Sequence, residues 1–212
     1  MKQTIRREMA EVLAAMPPAE AQAGSVRACA AAGALEEFLA AGSVLFYHPI
    51  PGELDCLPLV REAWRLGKAV LLPKVSRAER RMAAFRWRSP EDEMTAGSYG
   101  IREPARGEPW PLGELDLVIV PVLACDRRGL RLGRGGGYYD RFLAQDSLRA
   151  TTCGLAFARQ VVDVLPAEAH DVPVEIVVTD RDVLRINKYS HGPPAGRRPG
   201  IAPPPRRRTR ET

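Results

Sequence analysis

At 212 residues, with 45% apolar and 27% charged side chains, the chain can bury a substantial core as one α/β domain or a domain with an appendage. Its net charge of +5 suggests an anionic partner, but seven of the 31 Lys and Arg residues lie from Lys188 onward, where Glu211 is the one acid. Residues 1–187 thus carry 24 basic and 25 acidic side chains, so composition gives the body no nucleic-acid-binding character and leaves any to the tail.

The four cysteines, Cys29, Cys56, Cys125 and Cys153, stand far apart without a CxxC pair. That fits reduced thiols in a cytosolic protein better than a disulfide framework or a zinc site. The opening MKQTIRREMAEVLAAM is interrupted by charges, unlike a signal peptide, and no apolar run approaches the ~20 residues a membrane span needs. The expectation is a cytoplasmic protein without a membrane partner.

In chain order, Ile5, Met9, Val12, Leu13 and Met16 recur at helical spacing and predict a first helix, ended by Pro17 and Pro18. An alanine-rich helix runs from Ala19 to Ala41. SVLFYH (43–48) reads as a strand, PIPG turns the chain, and a helix follows from Glu53 to Leu66, stopped by Gly67. Strands are predicted at 69–75 and 81–87, with 88–114 irregular and rich in proline and glycine. A buried strand at 116–123 leads into a glycine loop and a helix of about ten residues ending near Ser147. Strands at 151–158 and 175–179 complete the alternation. The pattern predicts an α/β, three-layer, mainly parallel doubly wound sheet with helices on both faces, Rossmann-like in kind. Such sheets bind ligands at the carboxyl ends of strands near a topological switch point, and the glycine loop and PIPGE lie at two such ends. Residues 188–212 hold six prolines, three glycines and almost no large apolar side chain, and are expected to be a disordered basic tail on a domain of residues 1–187.

The loop RLGRGGGYYDRFL (131–143) carries the chemistry. Glycines let successive backbone N–H groups converge on a phosphate, a following helix adds its positive end, and Arg131 and Arg134 add guanidinium forks. No Gly-Lys-Ser/Thr follows, so this is not a Walker A loop, and Tyr138 breaks a GxGxxG count from Gly133. As a plain turn it has one or two glycines more than it needs.

With KQTIR (2–6), YHPIPGELD (47–55), YGIREP (99–104) and GLAFARQVVDVLPAEAHDVPVEIVVTD (154–180) in order, the loop resembles that of the 5-formyltetrahydrofolate cyclo-ligase family over roughly residues 2–182. The resemblance implies ATP- and Mg²⁺-dependent conversion of 5-formyltetrahydrofolate to 5,10-methenyltetrahydrofolate with release of ADP and phosphate. It implies ATP contacts from Lys2, Arg6, Arg131, Gly133, Arg134, Gly135, Gly136, Gly137, Tyr138 and Tyr139. Folate contacts would come from His48, Glu53, Arg134 and Tyr138, metal ligands from Asp140 and Asp171, and Arg134 would be the catalytic residue.

On bare spacing each residue keeps a plainer reading. Lys2 and Arg6 share a helix face that solvent could cover, Glu53 and Asp140 suit helix first turns, and Asp171 suits a turn. His48 reads equally as a satisfied side chain, and either tyrosine as core. Gly136 stands where some members of the family have lysine, and Cys125 where an aromatic residue is common. Two rival functions remain: a family relative without cyclo-ligase activity that binds RNA through the tail, and a small-molecule kinase using the same loop.

Overall fold

The computed structural model describes residues 1–97 and 100–186. Tyr99 of YGIREP and the expected tail of 188–212 lie outside the described residues.

Helix α1 (Lys2–Ala14) ends before the proline pair, and α2 (Pro18–Gly33) starts on it, with Pro18 at its first turn where no N–H is required. The alanine-rich run is two helices, not one to Ala41. It stops at Gly33, Leu35 turns extended and inward to 6% exposure, and α3 (Glu36–Ala40) resumes beyond it. Helix α4 (Leu57–Arg65) begins at Leu57, not Glu53. A helix through Pro58 would need the N–H that proline lacks, and the Leu54 carbonyl instead accepts the buried Tyr47 hydroxyl at 2.7 Å. Asp55 accepts the Leu57 N–H at 2.9 Å and starts the helix. Glu53 is therefore a loop residue beside Gly52, which turns the chain at φ +82°.

The strands are β1 (Ser43–Leu45), β2 (Ala69–Ser76), β3 (Arg81–Arg86), β4 (Met94–Ala96), β5 (Arg102–Pro104) and β6 (Leu117–Pro121). There follow β7 (Ala124–Asp126), β8 (Arg131–Leu132), β9 (Thr151–Leu155), β10 (Val161–Val162), β11 (Ile176–Val178) and β12 (Val183–Arg185). The main sheet has the order β12-β11-β9-β6-β1-β2-β3, parallel from β11 to β2 with an antiparallel strand at each edge. From β1 the chain winds outward through β2 to β3, then returns to the other side of β1 as β6 and winds outward through β9 to β11. The order reverses between β1 and β6, so the segments leaving their carboxyl ends diverge and open a crevice.

Strand alternation divides the core. Val44, Val70, Leu117 and Ile119 point into the layer of α1–α4, while Leu45, Leu71, Val118 and Val120 pack on the other face with Phe142 and Leu143 of α5 (Tyr138–Leu143). Both faces are covered, which is why these strands are almost uninterrupted apolar runs.

Two expectations change between β6 and α5. The glycine loop does not leave the buried strand directly: the hairpin β7–β8 intervenes and joins β10 in a separate three-stranded sheet. Asp126, fully buried, accepts the N–H groups of Arg128 and Leu130 at 2.9 and 3.2 Å and shapes that hairpin, with its carboxylate paired to Arg128 at 2.7 Å. The helix after the loop has six residues rather than about ten, so its dipole adds little. The irregular stretch 88–114 holds the small antiparallel pair β4–β5. Among the described residues no helix is long and apolar enough to cross a membrane.

Candidate active site

The crevice at the switch point is a cleft of ≈ 890 Å³ whose walls come from the segment after β1, the loop after β8, the start of α1 and residues 168–171. Arg134 spans it, donating from Nε to Glu53 Oε1 at 3.3 Å and from Nη2 to the Pro51 carbonyl at 3.0 Å. Arg6 donates from Nε to the Gly133 carbonyl at 2.9 Å and so ties α1 to the loop. Arg141 holds the loop's far end, donating to the carbonyls of Gly136 and Arg80, both at 2.8 Å.

The run of glycines has a local cause at each position. Gly135 and Gly137 lie at φ +104° and +64°, where a side chain is strained, and Gly137 caps α5 from that conformation. A Cβ on Gly136 would sit 2.7 Å from the Tyr138 ring. Gly137→Ala is expected to cost about 1–2 kcal/mol in denaturant unfolding, the usual cost of forcing a side chain into this region. An unchanged midpoint would mean that the loop relaxes.

Behind the loop, Arg131 is deeply buried, its side chain 2% exposed, with Nη2 3.1 Å from Asp140 Oδ1. Among the described residues its Nε and Nη2, like the Tyr139 hydroxyl, make no hydrogen bond. The Arg131 guanidinium lies 5.9 Å from the centroid of the Tyr139 ring, and that of Arg141 lies 5.2 Å from the Tyr138 centroid. Asp140 Oδ1 also accepts the Val172 N–H at 3.3 Å, which links the loop to the segment carrying Asp171. Lys2 donates to both oxygens of Asp171, at 2.9 and 2.7 Å.

The two flanking carboxylates are pulled in opposite directions. Burial holds Glu53 above the usual carboxylate range, although Arg134 and the Ile50 N–H oppose it. Burial also pushes Asp171 up, but Lys2, the Glu168 N–H and His170 together outweigh it and leave Asp171 below its ordinary value. A carboxylate whose folded-state value is depressed contributes stability above its unfolded value, near 3.9, and loses that contribution as pH falls through the folded value. Asp171→Asn should therefore flatten the acid limb of the stability curve below about pH 4, measured by urea unfolding at stepped pH. A limb as steep as the wild type's would contradict it. Burial lowers the proton affinity of His48, half-buried with its ring 6.4 Å from that of Trp87. All four thiols are buried, with Cys29 pushed up to about 11 and Cys125 and Cys153 to about 12, so none is a nucleophile at neutral pH.

All the residues expected at the site line this one cleft, from Lys2 and Arg6 through His48 and Glu53 to the loop 131–140 and Asp171. Sequence reasoning missed its far wall, made by Pro73, Val75, Met82, Ile101 and the buried Glu103. Glu103 accepts the Val75 N–H at 3.2 Å and fastens β5 to β2. Apolar strand residues carry no chemical signature, and β5 is too short to show its alternation. A second cavity of ≈ 940 Å³, floored by Leu13, Leu123 and Phe157, shares Arg6, Glu53 and Arg134 with the first.

The 5-formyltetrahydrofolate cyclo-ligase family model matches residues 1–180, which include every residue lining the cleft just described. The chain belongs to this family. Its class is accordingly that of a ligase. It is 36% identical over 146 residues to the 5-formyltetrahydrofolate cyclo-ligase of Escherichia coli K12, covering 68% of this chain and 80% of that protein. It is 35% identical over 149 residues to that of Mycolicibacterium smegmatis, covering 66% and 74%. Among solved structures, the Aquifex aeolicus 5,10-methenyltetrahydrofolate synthetase superposes with a TM-score of 0.77 at 32% identity, over 90% of this chain and 97% of that one. The Mycoplasma pneumoniae synthetase, at 19% identity and a TM-score of 0.69 over 84% and 98%, shares the cyclo-ligase fold.

Proposed function

We propose that this cleft closes a ring on 5-formyltetrahydrofolate at the expense of ATP, giving 5,10-methenyltetrahydrofolate, ADP and phosphate. The observation that carries the reading is the Arg134–Glu53 bridge, which brings the glycine loop and the segment after β1 together at the switch point of a family member. The formyl oxygen is amide-like and leaves poorly. Transfer of the γ-phosphoryl group to that oxygen makes it a good leaving group. N10 then attacks the formyl carbon and loses its proton, and the carbon–oxygen bond breaks to release phosphate that carries the former formyl oxygen.

This chain's part is positioning and charge stabilisation. Lys2, Arg6, Arg134 and the N–H groups of Gly133, Gly135, Gly136 and Gly137 surround the ATP phosphates, with Tyr138 and Tyr139 closing the loop over them. Arg131, too buried to reach far, supports the loop through Asp140. Glu53, with His48 and Tyr138, receives the folate. Glu53 has acceptor sites beyond those used by Arg134 and the Ile50 N–H, so it receives folate donors while Arg134 keeps one arm on it and turns another to the transferring phosphoryl group. Arg134 is on this account the catalytic residue.

The oxygen donors of Asp140 and Asp171, with the Lys2 ammonium already on Asp171, fit a hard divalent cation such as Mg²⁺, which would screen phosphate charge when bound. Residues 1–187 form the catalytic domain on this reading, in keeping with the family match, and the reaction belongs in the cytoplasm. The RNA-binding alternative rests on 188–212, outside the described residues.

Substrate labelled with oxygen-18 in the formyl group tests the chemistry. The label should appear in inorganic phosphate. A stable phosphorylated product with no free labelled phosphate would instead identify a kinase.

A further inference from the structure

Arg141 of α5 lies beside the glycine loop and is not one of the residues lining the cleft. Its guanidinium joins two turns: Nη2 donates to the Gly136 carbonyl and Nε to the Arg80 carbonyl, each at 2.8 Å. The same group lies 5.2 Å from the Tyr138 ring centroid, and a Cβ on Gly137 would come within 2.9 Å of its Nη1. Arg80 ends the turn between β2 and β3 at φ +53°, the one positive φ of a non-glycine residue among the described residues. Glycine is the usual residue for that conformation, so the turn is strained, and a partner on its carbonyl helps to hold it.

We propose that Arg141 is a positioning residue for the nucleotide: by holding the Gly136 carbonyl outside the cleft, it turns the Gly137 N–H into the cleft, towards the phosphates. The inference rests on the proposed function only for phosphates as the ligand of the loop; it does not depend on the second substrate.

A trans peptide sets its C=O and N–H in opposite directions, and no peptide bond among the described residues is cis. The Gly136 carbonyl faces Arg141, so the Gly137 N–H faces the other way, on the side where Gly136 and Gly137 line the cleft. Among the described residues that N–H has no acceptor. Glycines rotate easily, and Gly135 and Gly137 both lie at positive φ, so an untethered peptide here would sample either orientation. Arg141 selects one before the ligand arrives, which leaves less ordering for binding to overcome. Both of its hydrogen bonds go to neutral carbonyls, so neither cancels the positive charge it places beside the loop. A planar guanidinium bridges two carbonyls in a fixed geometry, whereas an ammonium on a flexible stem does so poorly.

Calorimetric titration of the full chain with Mg·ADP, with the Gly137 amide followed by NMR, tests this. Arg141→Ala should weaken Mg·ADP binding about tenfold, the scale of one charge-assisted hydrogen bond, and leave the affinity for 5-formyltetrahydrofolate unchanged. Arg141→Lys should recover only a small part, because it restores the charge without the fork. Arg80→Gly keeps the carbonyl that Arg141 uses and should leave Mg·ADP affinity unchanged. In wild type the Gly137 amide proton should move downfield on Mg·ADP binding, and in Arg141→Ala much less. Wild-type affinity in Arg141→Ala would overturn the proposal, as would full recovery in Arg141→Lys, which would leave a charge effect alone. Equal losses for Mg·ADP and folate would reveal a general prop of the fold and would also overturn it. Should Arg141→Ala fail to fold, a Gly137 amide in wild type that does not respond to Mg·ADP decides against it. Failure of the folate reading would show separately, as a wild type that binds Mg·ADP and closes no ring.

Discussion

Arg134→Ala is expected to lower kcat for ring closure by about 10²–10³-fold, the range seen when one preorganised donor to a developing negative charge is removed. The side chain is half-exposed and its bonds go to Glu53 and the Pro51 carbonyl, so the fold should survive the change. Denaturant midpoints within about 0.5 kcal/mol of wild type would confirm that the loss is chemical. Arg134→Lys should recover little, because a point charge cannot donate to Glu53 and a phosphoryl oxygen in a fixed fork. Glu53→Gln should chiefly raise KM for the folate, since it weakens an acceptor used in binding. Turnover unchanged in Arg134→Ala would move the catalytic role to Arg6, the α1 guanidinium that donates to the Gly133 carbonyl of the loop.

Arg131→Met separates an internal prop from a ligand contact. Removing one partner of a buried ion pair leaves the other charged and uncompensated, at a cost of about 3 kcal/mol or more. For a domain of this size that corresponds to a fall in Tm of roughly 6–12 °C. Adding Asp140→Asn should restore part of the loss, because it removes the stranded charge, and a double-mutant cycle measures how much. A Tm equal to wild type with only the KM for ATP raised would show Arg131 to be a direct phosphate contact and nothing more.

The difference between these two arginines shows where the sequence was informative. Both frame the glycines, and composition and spacing treat them alike. Burial separates them, because Arg131 opens β8 and faces inward onto Asp140 while Arg134 projects across the cleft to Glu53. The parallel sheet was legible because strands covered on both faces must be apolar throughout. The hairpin β7–β8, at three and two residues, was too short to show any period and was hidden in the turn before the glycines. Glu53 was assigned to a helix because an acid after PIPG looks like a first-turn residue; Pro58 places the true start later. The resemblance named Lys2 and Asp171 but not their contact, since nothing local in the sequence brings together side chains 169 positions apart.

The most direct measurement is the absorbance of the purified chain with 5-formyltetrahydrofolate, Mg²⁺ and ATP against the same mixture without ATP. The account predicts that the methenyl chromophore grows in only with ATP and that one phosphate is released for each chromophore formed. A flat trace from folded protein that still binds ATP would contradict the proposed reaction while leaving the family and the fold in place.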